Sequence, residues 1–109
     1  MTSSSSLTLT GHSGASYAFE VFPLDAALPH FPVVYFVFQQ VPTASDPQLR
    51  QPVYVGHARD AAACMHDYHR QGYVANGATH IALHVDYDER VRAQKVTDLA
   101  CALTPVCNG

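Results

Sequence analysis

The chain has 109 residues, a common size for a single domain and one that leaves no room for a second hydrophobic core. Nine acidic residues against six Lys and Arg give a formal net charge of −3, which does not favour tight binding to nucleic-acid phosphates. Charged residues make up only 14% of the sequence, which predicts an unusually apolar or His-rich surface that a homodimer would partly cover.

The cysteines and the N-terminal segment bear on the cellular compartment. Three cysteines without a C-x-x-C pair indicate reduced thiols rather than a disulfide framework. The first residues lack the basic and apolar regions of a secretory signal, and no apolar run is long enough to span a membrane. We therefore expect a cytoplasmic protein that makes no membrane contact.

The N-terminal third predicts a tail followed by two strands. Residues 1–16 are rich in Ser, Thr and Gly and have few apolar side chains, so they predict a flexible tail. Aromatic and apolar residues alternate over residues 17–24, which predicts an extra N-terminal strand. The run VVYFVFQQV at residues 33–41 is typical of a central strand covered on both faces.

The remainder of the chain predicts one further strand, a helix, a strand and a last helix. Turn-forming residues separate the run at 33–41 from a short apolar one at 53–55, which predicts a long hairpin. Helix formers at 59–71 predict a helix that ends at Gly72. Residues 79–87 alternate as a strand with one apolar and one polar face, and helical spacing covers 88–103. Residues 17–109 are thus predicted to form one α/β domain.

Four short motifs follow one another along this predicted domain. VVY lies at residues 33–35, YVG at residues 54–56, its extension YVGHARD ends at residue 60, and PVCN lies at residues 105–108. Together they resemble the signatures of the GIY-YIG nuclease superfamily. The resemblance implies an α+β fold with a small three-stranded antiparallel sheet flanked by helices.

The resemblance also implies which functional residues are kept and which are lost. It assigns Tyr35 and Tyr54 to the positions that orient or activate the attacking water. The family's phosphate-stabilising arginine falls at Cys64, and its metal-binding glutamate falls at Val96. A thiol cannot replace a guanidinium group, and valine has no ligand atom. The motif positions expected to retain a binding role are Gly56, His57, Arg59 and Asn108.

These losses predict a non-catalytic binding or interaction module without a cofactor, whose partner is an unknown protein or weakly bound nucleic acid. Tyr35 and Tyr54 would then be core aromatic residues on buried strands. The alternative is a divergent endonuclease that uses Mg²⁺ or Mn²⁺, with Glu89 or Asp98 binding the metal and Arg59 the phosphate. A further alternative is a nucleic-acid-binding domain that does not cleave, with cationic patches around two arginines, Arg59 and Arg70.

The seven histidines raise the question of a metal site. His66 and His69 are spaced for one helix face and could share Zn²⁺ with His57 or Cys64, while His80 and His84 share a strand face. Such spacings arise readily in a His-rich chain. We expect exposed or hydrogen-bonded histidines and predict no metal ligands.

Overall fold

The computed structural model describes residues 5–41, 50–65 and 67–103. The five strands of this part form one antiparallel sheet in the order β1-β2-β5-β3-β4. The elements, in chain order, are β1 (Ser5–Thr10), β2 (Ser16–Pro23), β3 (Val33–Gln40), β4 (Arg50–Ala58), a 3₁₀ helix (Ala61–Met65), α1 (Asp67–Ala75), β5 (His80–Val85) and α2 (Glu89–Leu103).

The predicted fold class is confirmed, but the predicted sheet is too small. A three-stranded unit, β4-β3-β5, does lie within the sheet, and β2 and β1 extend it to five strands. The prediction of a tail is wrong for residues 5–10, which pair with β2 along their whole length. The missed signal is the alternation LTLT at residues 7–10, because it places Leu7 and Leu9 on one face of the sheet against a hydrophobic cluster.

One face of the sheet, here called the α1 face, is covered by the 3₁₀ helix and α1. Alternate residues of β3, beginning with Val33, point to this face and pack against Ala61 and Tyr73 of the covering helices. Neighbouring strands complete the cluster with Phe22, Val53, Ile81 and Leu83. Burial of these side chains fixes the position of the two helices on the sheet.

The opposite face, here called the α2 face, packs against α2. The intervening residues of β3 form its centre, Leu99 of α2 lies against them, and the strands on both sides contribute Leu7, Phe19, Val21, Val55 and Ala82. The prediction that β3 is covered on both faces is confirmed. The face of β5 that was predicted to be polar is largely covered: Ala82 is fully buried there, and His80 and His84 are only partly exposed.

The end of α1 differs from the prediction that it stops at Gly72. The helix continues through Gly72 to Ala75 and ends in a Schellman motif. Gly77 there has a φ of 87° and donates its N–H to the Val74 carbonyl at 2.9 Å, while Ala78 donates to the Tyr73 carbonyl at 3.1 Å. A positive φ strains any residue with a Cβ, so Gly77, rather than Gly72, is the glycine that terminates the helix.

Neither α1, with nine residues, nor α2, with 15, combines the length and apolar character that a helix crossing a lipid bilayer needs.

We expect substitution by alanine to have opposite effects on stability at Gly72 and Gly77. Gly72→Ala should stabilise the fold by about 0.5–1 kcal/mol, because Gly72 lies within α1 and a Cβ there meets nothing within 4 Å. Gly77→Ala should destabilise it by about 1 kcal/mol or more, because of the positive φ. Urea denaturation of both variants measures the two effects. Equal changes in the free energy of unfolding would contradict this assignment of the helix end.

Candidate functional site

Tyr35 and Tyr54, the two tyrosines of the motifs, lie side by side on the α1 face. Tyr35 of β3 is opposite Gly56 of β4, and the centroids of the two tyrosine rings are 5.7 Å apart. The row continues to Tyr73 of α1, whose ring centroid lies 5.6 Å from that of Tyr54. Tyr35 is only 7% exposed, and Tyr54 is partly buried. The structure therefore brings the two tyrosines together, as part of a hydrophobic cluster.

Gly56 explains how the two rings fit. A Cβ atom at this position would lie 2.6 Å from Cε2 of Tyr54 and 2.8 Å from the hydroxyl oxygen of Tyr35. Both separations are well inside van der Waals contact, so a larger residue would have to displace at least one ring. The close approach of both rings to the β4 backbone requires glycine at position 56.

The position predicted to have lost the metal-binding glutamate does not lie with the two tyrosines on the α1 face. Val96 is on α2 and packs partly buried in the cluster on the α2 face. Val96 and the rings of Tyr35 and Tyr54 thus belong to clusters on opposite faces of the sheet. Cys64 belongs to the 3₁₀ helix on the α1 side, but its side chain lies outside the described part of the structure, as do His66, the His69 side chain and Asn108.

Asp98, a proposed alternative metal ligand, is occupied by hydrogen bonds within the protein. Its carboxylate accepts bonds from the Ser13 backbone N–H at 2.7 Å, the Ser13 hydroxyl at 2.8 Å and the Tyr17 hydroxyl at 2.8 Å. These donors, the Ser13 N–H first, lower the pKa of Asp98. Asp98 thereby ties the turn between β1 and β2 to α2. The other residues proposed as replacements, Glu89 and Arg59, are exposed.

Several of the described histidines are engaged in hydrogen bonds, among them the two on β5. His84 donates through Nδ1 to the Ala18 carbonyl at 2.8 Å and accepts through Nε2 from Lys95 at 2.9 Å. Lys95 also donates to the Asp86 carboxylate at 2.6 Å, and this bond lowers the pKa of Asp86. His80 Nδ1 lies 2.7 Å from the hydroxyl of the adjacent threonine. Among the described residues, no three His, Cys, Asp or Glu side chains are grouped to hold a metal ion.

A groove that the sequence did not predict runs between β4 and α2. One wall is the β4 segment 54–57, and the other consists of Val96, Thr97, Ala100 and Cys101 of α2. The volume of this β4–α2 groove is about 620 Å³. His57 lies at one end, where a second depression begins that is lined by Asp88, Glu89, Arg90 and Ala93.

At the His57 end of the groove, some polar atoms have hydrogen-bond partners within the described residues and others have none. Nδ1 of His57 is buried and has no hydrogen-bond partner among the described residues. Asp88 caps α2 by accepting from the N–H groups of Arg90 at 3.0 Å and Val91 at 3.2 Å. No sequence signal identifies the groove, because it depends on which strand lies at the sheet edge and where α2 crosses it.

Comparison with protein-family models, curated proteins and solved structures finds no match to this chain. The resemblance to the GIY-YIG superfamily therefore remains a prediction.

The contact of Gly56 with the tyrosines predicts a coupled effect on stability. Gly56→Ala should destabilise the fold by about 1–3 kcal/mol, because the new methyl group overlaps both rings. In a Tyr54→Leu background the same substitution should cost less, since one of the two rings is absent. A double-mutant cycle by urea denaturation measures this coupling. Additive effects of the two substitutions would contradict the proposed role of Gly56.

The bonds to Asp98 predict a loss of stability in acid. A lowered folded-state pKa means that Asp98 contributes stability above its unfolded pKa, and that this contribution disappears as pH falls through the folded value. Asp98→Asn should therefore reduce stability at neutral pH and flatten the decline that we expect for the wild type below about pH 5. Thermal unfolding from pH 7 to pH 2 tests this, with exposed Glu89→Gln as the control. An unchanged pH profile in Asp98→Asn would contradict it.

Proposed function

We propose that this chain is a non-catalytic interaction module. The main support is the packing of Tyr35 and Tyr54 against Gly56, because it gives all three motif residues a structural role. A core glycine and two core aromatic rings would be retained whether or not the domain carried out any chemistry. The motif residues therefore do not need an active site to account for them.

The location of Val96 supports the same proposal. Hydrolysis of a phosphodiester requires cationic groups or a metal ion to stabilise charge on the phosphoryl oxygens. Position 96 carries an apolar side chain, and it lies on the opposite face of the sheet from the tyrosine rings. Tyr54 and Val96 both line the β4–α2 groove, but none of the described residues lining it has a carboxylate that could hold a metal ion.

The proposed patch for nucleic acid has weak support from the geometry. Arg59 is exposed, but Nε of Arg70 donates to the Leu24 carbonyl at 3.3 Å and helps to hold the segment before β3. With a net charge of −3, binding through Arg59 alone would be weak and sensitive to salt. A protein partner is therefore the better candidate.

A nuclease assay tests this proposal. We expect the purified protein to leave branched, nicked and single-stranded DNA intact in Mg²⁺ or Mn²⁺, and to bind none of them at low ionic strength. Tyr54→Phe is the control variant, since it keeps the ring but removes the hydroxyl. Cleavage by the wild type that Tyr54→Phe abolishes would establish the endonuclease instead. Salt-dependent binding without cleavage would establish the nucleic-acid-binding domain.

A further inference from the structure

Strand β4 lies at one end of the sheet. Among the described residues it pairs only with β3, so its outer edge carries backbone N–H and C=O groups that no other strand engages. Pro52 cannot donate a backbone hydrogen bond, so the candidate edge is residues 53–58, where Tyr54, His57 and Ala58 are partly exposed. The partner that matches a row of such groups at strand spacing is another extended backbone.

Helix α2 provides a wall beside this edge. Its first turns lie near His57 and its later turns near Tyr54, so α2 runs antiparallel to β4 along the groove. A strand added to the edge would have half of its side chains directed towards the α2 face. There they would meet the groove lined by Val96, Thr97, Ala100 and Cys101. The edge thus offers backbone hydrogen bonds, and the groove offers contacts to alternate side chains.

We propose that the β4–α2 groove binds an extended peptide segment of a partner protein by strand addition to residues 53–58. This inference rests on the proposed function and names the kind of partner that the module takes. Backbone hydrogen bonds to β4 supply affinity that is independent of sequence, and the groove selects side chains.

The walls of the groove indicate which peptide side chains it accepts. The α2 wall has no formal charge, so it favours uncharged peptide residues, and the small side chains of Thr97 and Ala100 leave room for them. The depression beyond His57 carries two carboxylates, of Asp88 and Glu89, against the single guanidinium of Arg90. That balance favours a Lys or Arg at the corresponding end of the peptide.

A peptide fits the groove better than a second copy of this chain. In an antiparallel pairing of two β4 edges, the partner strand would direct its own Val55 and His57 to the α2 face. Those side chains already lie beside the partner's own α2, so they would not enter the groove of the first copy. An extended peptide brings free side chains that can fill it.

Selection from a phage-displayed library of random decapeptides tests the proposal. The most enriched peptide, synthesised and titrated into ¹⁵N-labelled protein, should shift the amide signals of residues 53–58 and of residues 96–101. Because alternate N–H groups of an added strand face the edge, N-methylation at one set of alternate residues should weaken binding by about tenfold or more. N-methylation at the intervening residues should leave binding unchanged.

A matched pair of α2 variants tests whether the peptide binds in the groove. Ala100→Phe fills it and should weaken binding by about tenfold or more, whereas Ala102→Phe places the same side chain at an exposed position of α2 outside the groove and should not. The ¹⁵N spectrum of each free variant shows whether it is folded.

Three results would overturn the inference: no enriched peptide, amide shifts away from β4 and α2, or a concentration-dependent dimer that Ala100→Phe dissociates. Each is distinct from failure of the proposed function, which DNA cleavage or DNA binding would reveal.

Discussion

The burial of β3 on both faces is the constraint on which the other elements depend. Its residues 33–38 are all buried, and both neighbouring strands pair with it. Full burial of one large apolar side chain contributes about 1.5–3 kcal/mol, so covering both faces of this strand is a large part of the driving force for folding. The 3₁₀ helix and α1 cover one face and α2 covers the other, because neither face of an apolar central strand can be left in water.

The residues at the nuclease-like motif positions lie on both faces of the sheet. Tyr35, Tyr54 and Gly56 are close neighbours on the α1 face, where packing accounts for all three. Val96 lies on the α2 face, where it helps to cover the sheet. Residues that form a catalytic set by motif position are thus parts of two separate hydrophobic clusters. This separation favours a module that binds over one that cleaves.

Helix α2 connects the stability of the domain with its candidate binding surface. Leu99 anchors the helix in the sheet, and Asp98 ties it to the turn between β1 and β2. At the far edge of the sheet the same helix forms one wall of the β4–α2 groove. A groove held in this way is largely formed before a ligand arrives, which lowers the entropic cost of binding an extended peptide.

The sequence alone determined the elements whose pattern is local. The apolar run at 33–41, the alternation at 79–87 and the helical spacing at 88–103 predicted β3, β5 and α2, since side-chain periodicity reports burial directly. The pairing of β1 with β2, the burial of the second face of β5, the placement of Val96 and the tyrosines in different clusters, and the groove beside β4 depended on the tertiary structure. Each follows from strand order and from which helix covers which face, and these are set by contacts between residues far apart in the chain.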